Sequence, residues 1–459
     1  MSQEKYYQKA VILGGSMAGL LAARILAVYF EEVIIIEKDI LPTRPEARRS
    51  VPQGNHPHII LAKGLEWLEV WFPGITQEMQ AAGAQVADTA KDVSWFFGYR
   101  WMPRFDSGIK GLISLRPYLE WQVRRRLLRA YPNVRILENY LTEGFLRNDT
   151  NTCITGVKCK RADGIQENMY ATLTVDATGR GSQTPGWLKI IGYPTPRETE
   201  VEMHLGYTSR IYKRPVNFNG DWKSHAVYAD FPHVWRGGGI TNVQDDQWMV
   251  TLTGYFGDHS PANDSGFLEF ARSLAKPYVY QWLKDETPIV NSKVYKIPKI
   301  RRRYYEELSS FPDGLIVIGD AVCVFNPIFA QGITVIALCA AALDKCLVNQ
   351  IKMKTGDIQG LSRNVQKKIA KSLNTPWHLT NAINFSYPQT KGRRPLLTPV
   401  NTWILKRTIE TCSENTGASQ IFLEVMHMKA PPSIFCKPSF LLPLLLHAIK
   451  YVFNPLSKR

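Results

Sequence analysis

Apolar and polar positions near the N-terminus fall into blocks. An unbroken apolar run at 10–13, Ala-Val-Ile-Leu, predicts a strand buried on both faces. Gly14-Gly15-Ser16-Met17-Ala18-Gly19 follows at once. A helix-forming stretch over 20–28 comes next, then a second apolar run over 33–36, closed by Glu37 and Lys38. Strand, glycine-rich turn, helix, strand and acid predict a βαβ unit.

Further on, the period changes several times. Leu61, Leu65, Leu68 and Phe72 share one side of an amphipathic helix predicted over 59–71. Aromatics crowd 83–111 (Trp95, Phe96, Phe97, Tyr99, Trp101, Phe105) and predict strands of a substrate-facing layer, or plain core. Pro117 suits the first turn of a helix running to about residue 131, with Glu120 at a capping position and a basic solvent face over 124–129. Strands are predicted at 134–137, 142–146, 156–160 and 170–175. Between 200 and 258, Trp248, Val250 and Leu252 alternate with Met249, Thr251 and Thr253, which marks a largely antiparallel sheet, broken at glycines 237–239. A helix over 265–283, a buried strand over 315–318, an apolar helix over 333–347 and a helical tail over 351–459 complete the reading.

The fold class expected is α/β plus β. A Rossmann-like, glutathione-reductase-like domain fills 1–190, with part of the substrate layer near 76–112. A β-sheet substrate domain over 191–300 interleaves with it, the chain returns to the first domain over 301–350, and the helical region closes the chain.

Each glycine of the first turn has a physical task. Gly14 permits the tight turn off the strand, Gly15 or Ser16 lets a pyrophosphate approach the backbone, and Gly19 lets the helix pack against the strand. The helix N-terminus offers free N–H groups to phosphate. Glu37, about twenty residues on, can accept both hydroxyls of an adenosine ribose and would repel a 2′-phosphate, so FAD or NAD suits the site better than NADP. Asp176-Ala177-Thr178-Gly179-Arg180-Gly181-Ser182 is a second glycine-rich loop at a strand end. Gly319-Asp320 ends the later buried strand, where a carboxylate can hold a ribityl hydroxyl. The helix begun at Gln331-Gly332 can stabilise negative charge on a reduced ring.

Arg116, just before a helix, is a candidate cofactor contact. Among Arg44, Arg48 and Arg49, Arg49 is the favoured one for a phosphate or the flavin edge. His56 and His58 have no Cys or carboxylate at ligand spacing, so no metal is expected. They cap the following helix or sit beside a flavin.

Charge and composition narrow the partners. Lys and Arg number 56 against 40 Asp and Glu, a formal charge of +16. The excess is spread, without the aromatic-interleaved repeats of a nucleic-acid reader. It forms a solvated face, or attracts an anionic membrane, a carrier protein or a nicotinamide cofactor. Seven Cys without a CxxC read as reduced thiols of a cytoplasmic protein. The N-terminus is too polar for a signal peptide, and no stretch reads as long and apolar enough to span a bilayer. The nearest, 440–453, is interrupted by Pro443 and flanked by Lys437 and Lys450. It docks on its own domain or makes a peripheral membrane contact.

GGSMAG with Glu37, DATGRGS and GDAVCVFNPIFAQG together resemble the class A FAD-dependent monooxygenases, in particular a bacterial subgroup of natural-product epoxidases and hydroxylases. PQGNHPH, RPYLEW, GDHSP and GRRP extend the resemblance over nearly the whole chain. It implies FAD pyrophosphate along Gly14, Gly15, Ala18 and Gly19, and adenosine ribose on Glu37. Arg116 would lie near the ribityl and phosphate chain, and Asp320 would hold the ribityl chain. Pro327, Gln331 and Gly332 would lie against the isoalloxazine, with Asp176 and Gly179 supporting the loop. Where the family has Gly-Gln-Gly, this chain has Ala330-Gln331-Gly332. The implied reaction takes NADPH or NADH and O₂, forms a flavin C4a-hydroperoxide, and epoxidises or hydroxylates a small, largely apolar substrate such as a polyene, terpenoid or polyketide. No side chain is assigned as acid or base. The rivals are a flavin-dependent reductase of prenyl double bonds, a halogenase, whose WxWxIP signature is not found, and a non-catalytic flavin binder.

Overall fold

The computed structural model describes residues 5–453, apart from 49–53, 55, 98, 217, 354 and 355. Arg49 therefore lies outside the described residues.

A five-stranded parallel sheet forms the frame, in the order Leu315–Val317, Leu173–Asp176, Tyr7–Leu13, Phe30–Ile36, Val134–Leu137. Three of its strands contain stretches that are apolar and buried without alternation, Ala10–Leu13, Val33–Ile36 and Leu315–Val317, because both faces are covered there, while Val134–Leu137, at one edge, carries the exposed Arg135. The helices Met17–Tyr29 and Gly332–Lys352 pack on each other at this sheet. Val11, Ile12, Leu13, Met17 and Leu20 are fully buried there. By length and apolarity Gly332–Lys352 could cross a bilayer, contrary to expectation. Ile333, Leu343 and Leu347 are instead buried in the core, where the helices Ala62–Trp71 and Leu361–Asn384 also pack.

The second sheet is largely antiparallel. Two 16-residue strands, Glu198–Lys213 and Pro288–Arg303, pair along most of their length. Gln247–Gly254, Arg236–Val243, Ser224–Val227 and Val93–Phe97 extend the sheet in that order, the last pairing being parallel. On the other side, Cys323–Val324 pairs with Pro288–Arg303 and brings the chain back beside the parallel sheet. Helices Leu361–Asn384, Thr398–Glu414, Thr416–Met426 and Pro438–Phe453 make up the C-terminal region.

Several local expectations change. Ile59 and Ile60 belong to a strand, Pro57–Ile60, paired with Lys110–Leu115, and the helix starts at Ala62. A short apolar run fits either element, and here an available strand partner decides it. The helix expected over 265–283 is two, Asp264–Arg272 and Tyr278–Leu283, parted at Pro277. The strand expected over 170–175 divides between Gln166–Tyr170 and Leu173–Asp176, which lie in different sheets. Glu120 caps nothing, and Arg124 is buried and donates to the Pro42 carbonyl.

Candidate dinucleotide site and its adjoining cavity

Gly14 leaves the first strand at φ +98°, and a Cβ there would lie 2.8 Å from the Ala177 carbonyl oxygen. At Gly19 a Cβ would lie 1.8 Å from the Gly14 carbonyl oxygen. Both positions need glycine, so the helix Met17–Tyr29 can start hard against two strand ends. Ser16 is its N-cap but makes no side-chain cap bond. Its hydroxyl instead donates to Glu120 at 2.6 Å and accepts from Arg116 at 3.1 Å.

Glu37 points inward beneath this turn. Its carboxylate accepts from the Gly15 N–H at 2.8 Å and the Asp39 N–H at 3.0 Å. Arg48 pairs with it at 3.1 Å and also reaches Glu120. Glu37, Arg48, Glu120 and Arg116 thus form a buried chain of alternating charge around the glycine turn. Lys38 is exposed and lines the rim.

The second loop is held from below. Asp176, fully buried, accepts from the Thr178 N–H at 2.9 Å, from the Thr184 hydroxyl at 2.6 Å and from the Ser182 hydroxyl. Gly179, at φ +77°, brings the loop beside Asp320. Burial raises the Asp320 carboxyl above its ordinary value, against the pull of Arg180 and Arg116. The Nε atoms of Arg116 and Arg180 are buried without a hydrogen-bond partner.

The third stretch closes the site. Asn326 caps the turn by accepting from the Ile328 N–H at 3.1 Å, while its amide donates to Tyr255 and Asn384, each at 3.0 Å. Pro327 opens a short 3₁₀ turn that ends at Ala330, with φ +53° and ψ +23°. The Gln331 side chain is buried and accepts from Thr380 at 2.8 Å, so it is committed to a neighbouring helix. Gly332 begins the long helix with open space where a Cβ would stand.

A cavity of about 540 Å³ joins these parts. Ser16, Lys38, Arg116, Gly179, Asp320 and Gly332 line one portion. Much of the remaining wall comes from the antiparallel sheet and its strand ends, with Tyr207, Tyr228, Thr251, Tyr255 and Tyr295, and Ile383 and Tyr387 of the C-terminal region join it. Among the described residues, the Lys, Arg, Asp and Glu on the wall are Lys38, Arg116, Arg180 and Asp320. Arg180 marks the junction, its guanidinium 5.8 Å from the Tyr295 ring centre. His56 and His58 also line the cavity, and burial pushes both imidazoles down to about 3, so they are neutral. The His56 Nδ1 sits 2.7 Å from the Ser209 hydroxyl, which lies 2.7 Å from that of Thr251.

Of the residues singled out in the sequence, Ser16, Ala18, Lys38, Arg116, Gly179, Asp320, Pro327 and Gly332 come together on the cavity wall. Gly14, Gly15, Gly19, Glu37 and Asp176 build the turns behind it. Met17 is fully buried in the core. Sequence reasoning favoured Arg49 over Arg48, and it missed Arg180 and the paired rings of Tyr207 and Tyr295, whose centres are 5.4 Å apart. Arg180 lay inside a quoted motif, but nothing in its local pattern told a cavity arginine from a loop charge.

No protein-family model matches the chain. Among curated proteins, Protein Rv3254 of Mycobacterium tuberculosis is 31% identical over 387 residues, covering 82% of this chain and 79% of that one. Among solved structures, the flavin-dependent brominase Bmp2 has a TM-score of 0.65 at 12% identity, with 91% and 92% of the two chains covered. A 2-methyl-3-hydroxypyridine-5-carboxylic acid oxygenase has a TM-score of 0.60 at 17% identity, with 92% and 98% covered. The chain belongs to the family of the M. tuberculosis protein Rv3254, and its fold is that of the class A FAD-dependent monooxygenases.

Proposed function

We propose that the protein is an FAD-dependent monooxygenase that uses NADH or NADPH and O₂ to epoxidise or hydroxylate an uncharged, largely apolar small molecule. The observation that carries this reading is the single cavity that joins a phosphate-type cradle to a wall of rings and hydroxyls. The cradle fits FAD: glycines stand where a Cβ would strike backbone, and the buried Arg116 and half-buried Arg180 each keep a buried Nε without a partner among the described residues. FAD, when bound, supplies the redox chemistry and the activation of O₂.

The chain's own residues divide the work. Gly14, Gly15, Ser16, Ala18 and Gly19 would hold the pyrophosphate, and Glu37, fixed by Arg48, the ribose. Arg116 and Asp320, with Asp176 and Gly179 behind the loop, would position the ribityl chain. Pro327 and the backbone of 330–332 would meet the ring, where the helix N-terminus favours negative charge. The sheet strands would orient substrate through hydroxyls and aromatic faces and exclude water. Among the described residues those strands turn no Lys or Arg into the cavity, so a substrate carboxylate lying on them away from Arg180 would be costly to desolvate.

The test begins with the visible spectrum of the purified protein and of its released cofactor. NAD(P)H oxidation under labelled O₂ is then followed with neutral polyenes, terpenoids and polyketides, and with matched carboxylates. Labelled oxygen in a neutral product is the expected result. A saturated, unlabelled product would replace this reading with the reductase, and a brominated one with the halogenase. A protein that stays colourless in excess FAD would end it.

A further inference from the structure

The helices at the C-terminal end turn apolar faces outward. Around the start of Thr398–Glu414, Leu396 is 100% exposed, and Leu397, Val400, Trp403 and Ile404 are exposed with it. Val400, Trp403 and Ile404 share one helix face, just after the turn that carries Leu396 and Leu397. In Pro438–Phe453, Leu441, Leu442, Leu445, Leu446 and Ile449 are exposed on another such stripe. The opposite side of that helix is the one that packs: Phe440 and Leu444 join Cys412, Ala418 and Phe422 in a small core. The two helices also pack on each other. Single exposed leucines need no explanation, but two such stripes on touching helices do.

The charge around them is one-sided. Residues 388–450 hold eight Lys or Arg and three Glu. Lys391, Arg393, Lys406, Lys437 and Lys450 are exposed. Glu410 is buried on Arg407 at 2.7 Å, and Glu414 pairs with Arg100 at 3.0 Å. Such a basic rim would repel a second copy of this chain and attract an anionic surface. Trp403 has the amphipathic ring that favours the headgroup level. The 16-residue helix Pro438–Phe453, with Pro443 inside it, is shorter than a span needs and suits lying in the surface plane.

We propose that these two helices dock the protein on an anionic lipid bilayer, leucine stripes in the acyl boundary and lysines at the headgroups. The inference rests on the exposed faces and not on the reading of the cavity. The experiment is co-sedimentation of the full chain with vesicles of phosphatidylcholine and phosphatidylglycerol, at low and high salt. The wild type is expected with the vesicles, and Leu442→Glu/Leu446→Glu is expected to cut partitioning at least tenfold. Lys437→Glu/Lys450→Glu, which leaves the packed side untouched, is expected to cut binding severalfold at low salt and less at high salt. Val70→Glu, on an exposed apolar residue elsewhere, is expected to change nothing. Wild type left in the supernatant would overturn the proposal. So would charge-reversed and leucine variants that both bind like wild type, or a wild-type dimer that the leucine variant converts to monomer.

Discussion

Replacing a glycine by alanine should have opposite signs at two helical positions of this chain, and the size of each effect follows from the space around it. At Gly19 the added methyl would stand 1.8 Å from the Gly14 carbonyl oxygen and 3.0 Å from its carbon. An ordinary carbon–oxygen approach is about 3.3 Å, so helix and turn must part by roughly 1.5 Å. Neither can move freely, because Met17, Leu20 and Leu21 are fully buried and Gly14 rests on Ala177. Overpacking of a tight core costs about 1–3 kcal/mol, and this clash belongs at the upper end. At Gly186, in the exposed part of Thr184–Ile190, nothing lies within 4 Å of a Cβ. Alanine there should stabilise by about 0.5–1 kcal/mol through its better helix propensity. Urea titrations followed by fluorescence read both changes. Gly19→Ala should lower the midpoint, and should also lower FAD affinity by displacing the turn. A Gly19→Ala protein with wild-type midpoint and wild-type flavin content would refute the argument that this glycine sets the helix-to-strand distance.

Glu37→Gln should lower stability by about 1–3 kcal/mol in the same titration, because the buried Arg48 loses one of its three carboxylates and keeps Glu120 and, at 3.6 Å, Asp39; an unchanged midpoint would count against a charged pair there. Ala330→Gly should stabilise by about 0.5–1 kcal/mol, as relief at φ +53° outweighs the added freedom of the unfolded chain, and a lowered midpoint would contradict it. His427 accepts from the Ala62 N–H at Nδ1, and burial pushes its imidazole down to about 4. The unfolded imidazole binds a proton near pH 6.5 and the folded one does not until about 4, so stability falls by about 3 kcal/mol as pH drops through that window. His427→Asn should flatten that slope, and an equally steep slope in the variant would show that other groups produce it.

The parallel frame was legible because three of its strands sit in short, unbroken apolar runs, 10–13, 33–36 and 315–318, ended by glycine or acid, and local pattern fixes such elements. The sheet over 198–254 was legible from its alternation, except that glycines 237–239, read as a break, lie inside the strand Arg236–Val243 and pair with the strands beside it. What the pattern could not decide were elements whose form depends on a distant partner. Ile59 and Ile60 are helical by periodicity and become a strand because Leu112 and Ile113 lie beside them. Within the candidate site, backbone requirements were readable, since Gly14 and Gly19 answer to sterics a few residues away. Side-chain assignments were harder. Glu120 reads as a cap locally, yet it spends its carboxylate on Arg48 and Ser16, far away in the chain. Gln331 reads as a ring neighbour, yet its amide oxygen is held by Thr380.

The strand Pro288–Arg303 carries Tyr295 and Ile297 on the cavity wall, and further along it Arg301 and Arg303 donate to the carbonyls of Arg180, Ser182 and Ala321. Paired over most of its length, it behaves as a stiff spar. A bulkier or smaller ring at 295 is therefore transmitted along the spar to the loops on either side of Asp320. Re-engineering the breadth of the chamber from this strand would retune the coenzyme's seat as well, whereas changes on Ser224–Val227, four strands away in the same sheet, would leave that seat alone.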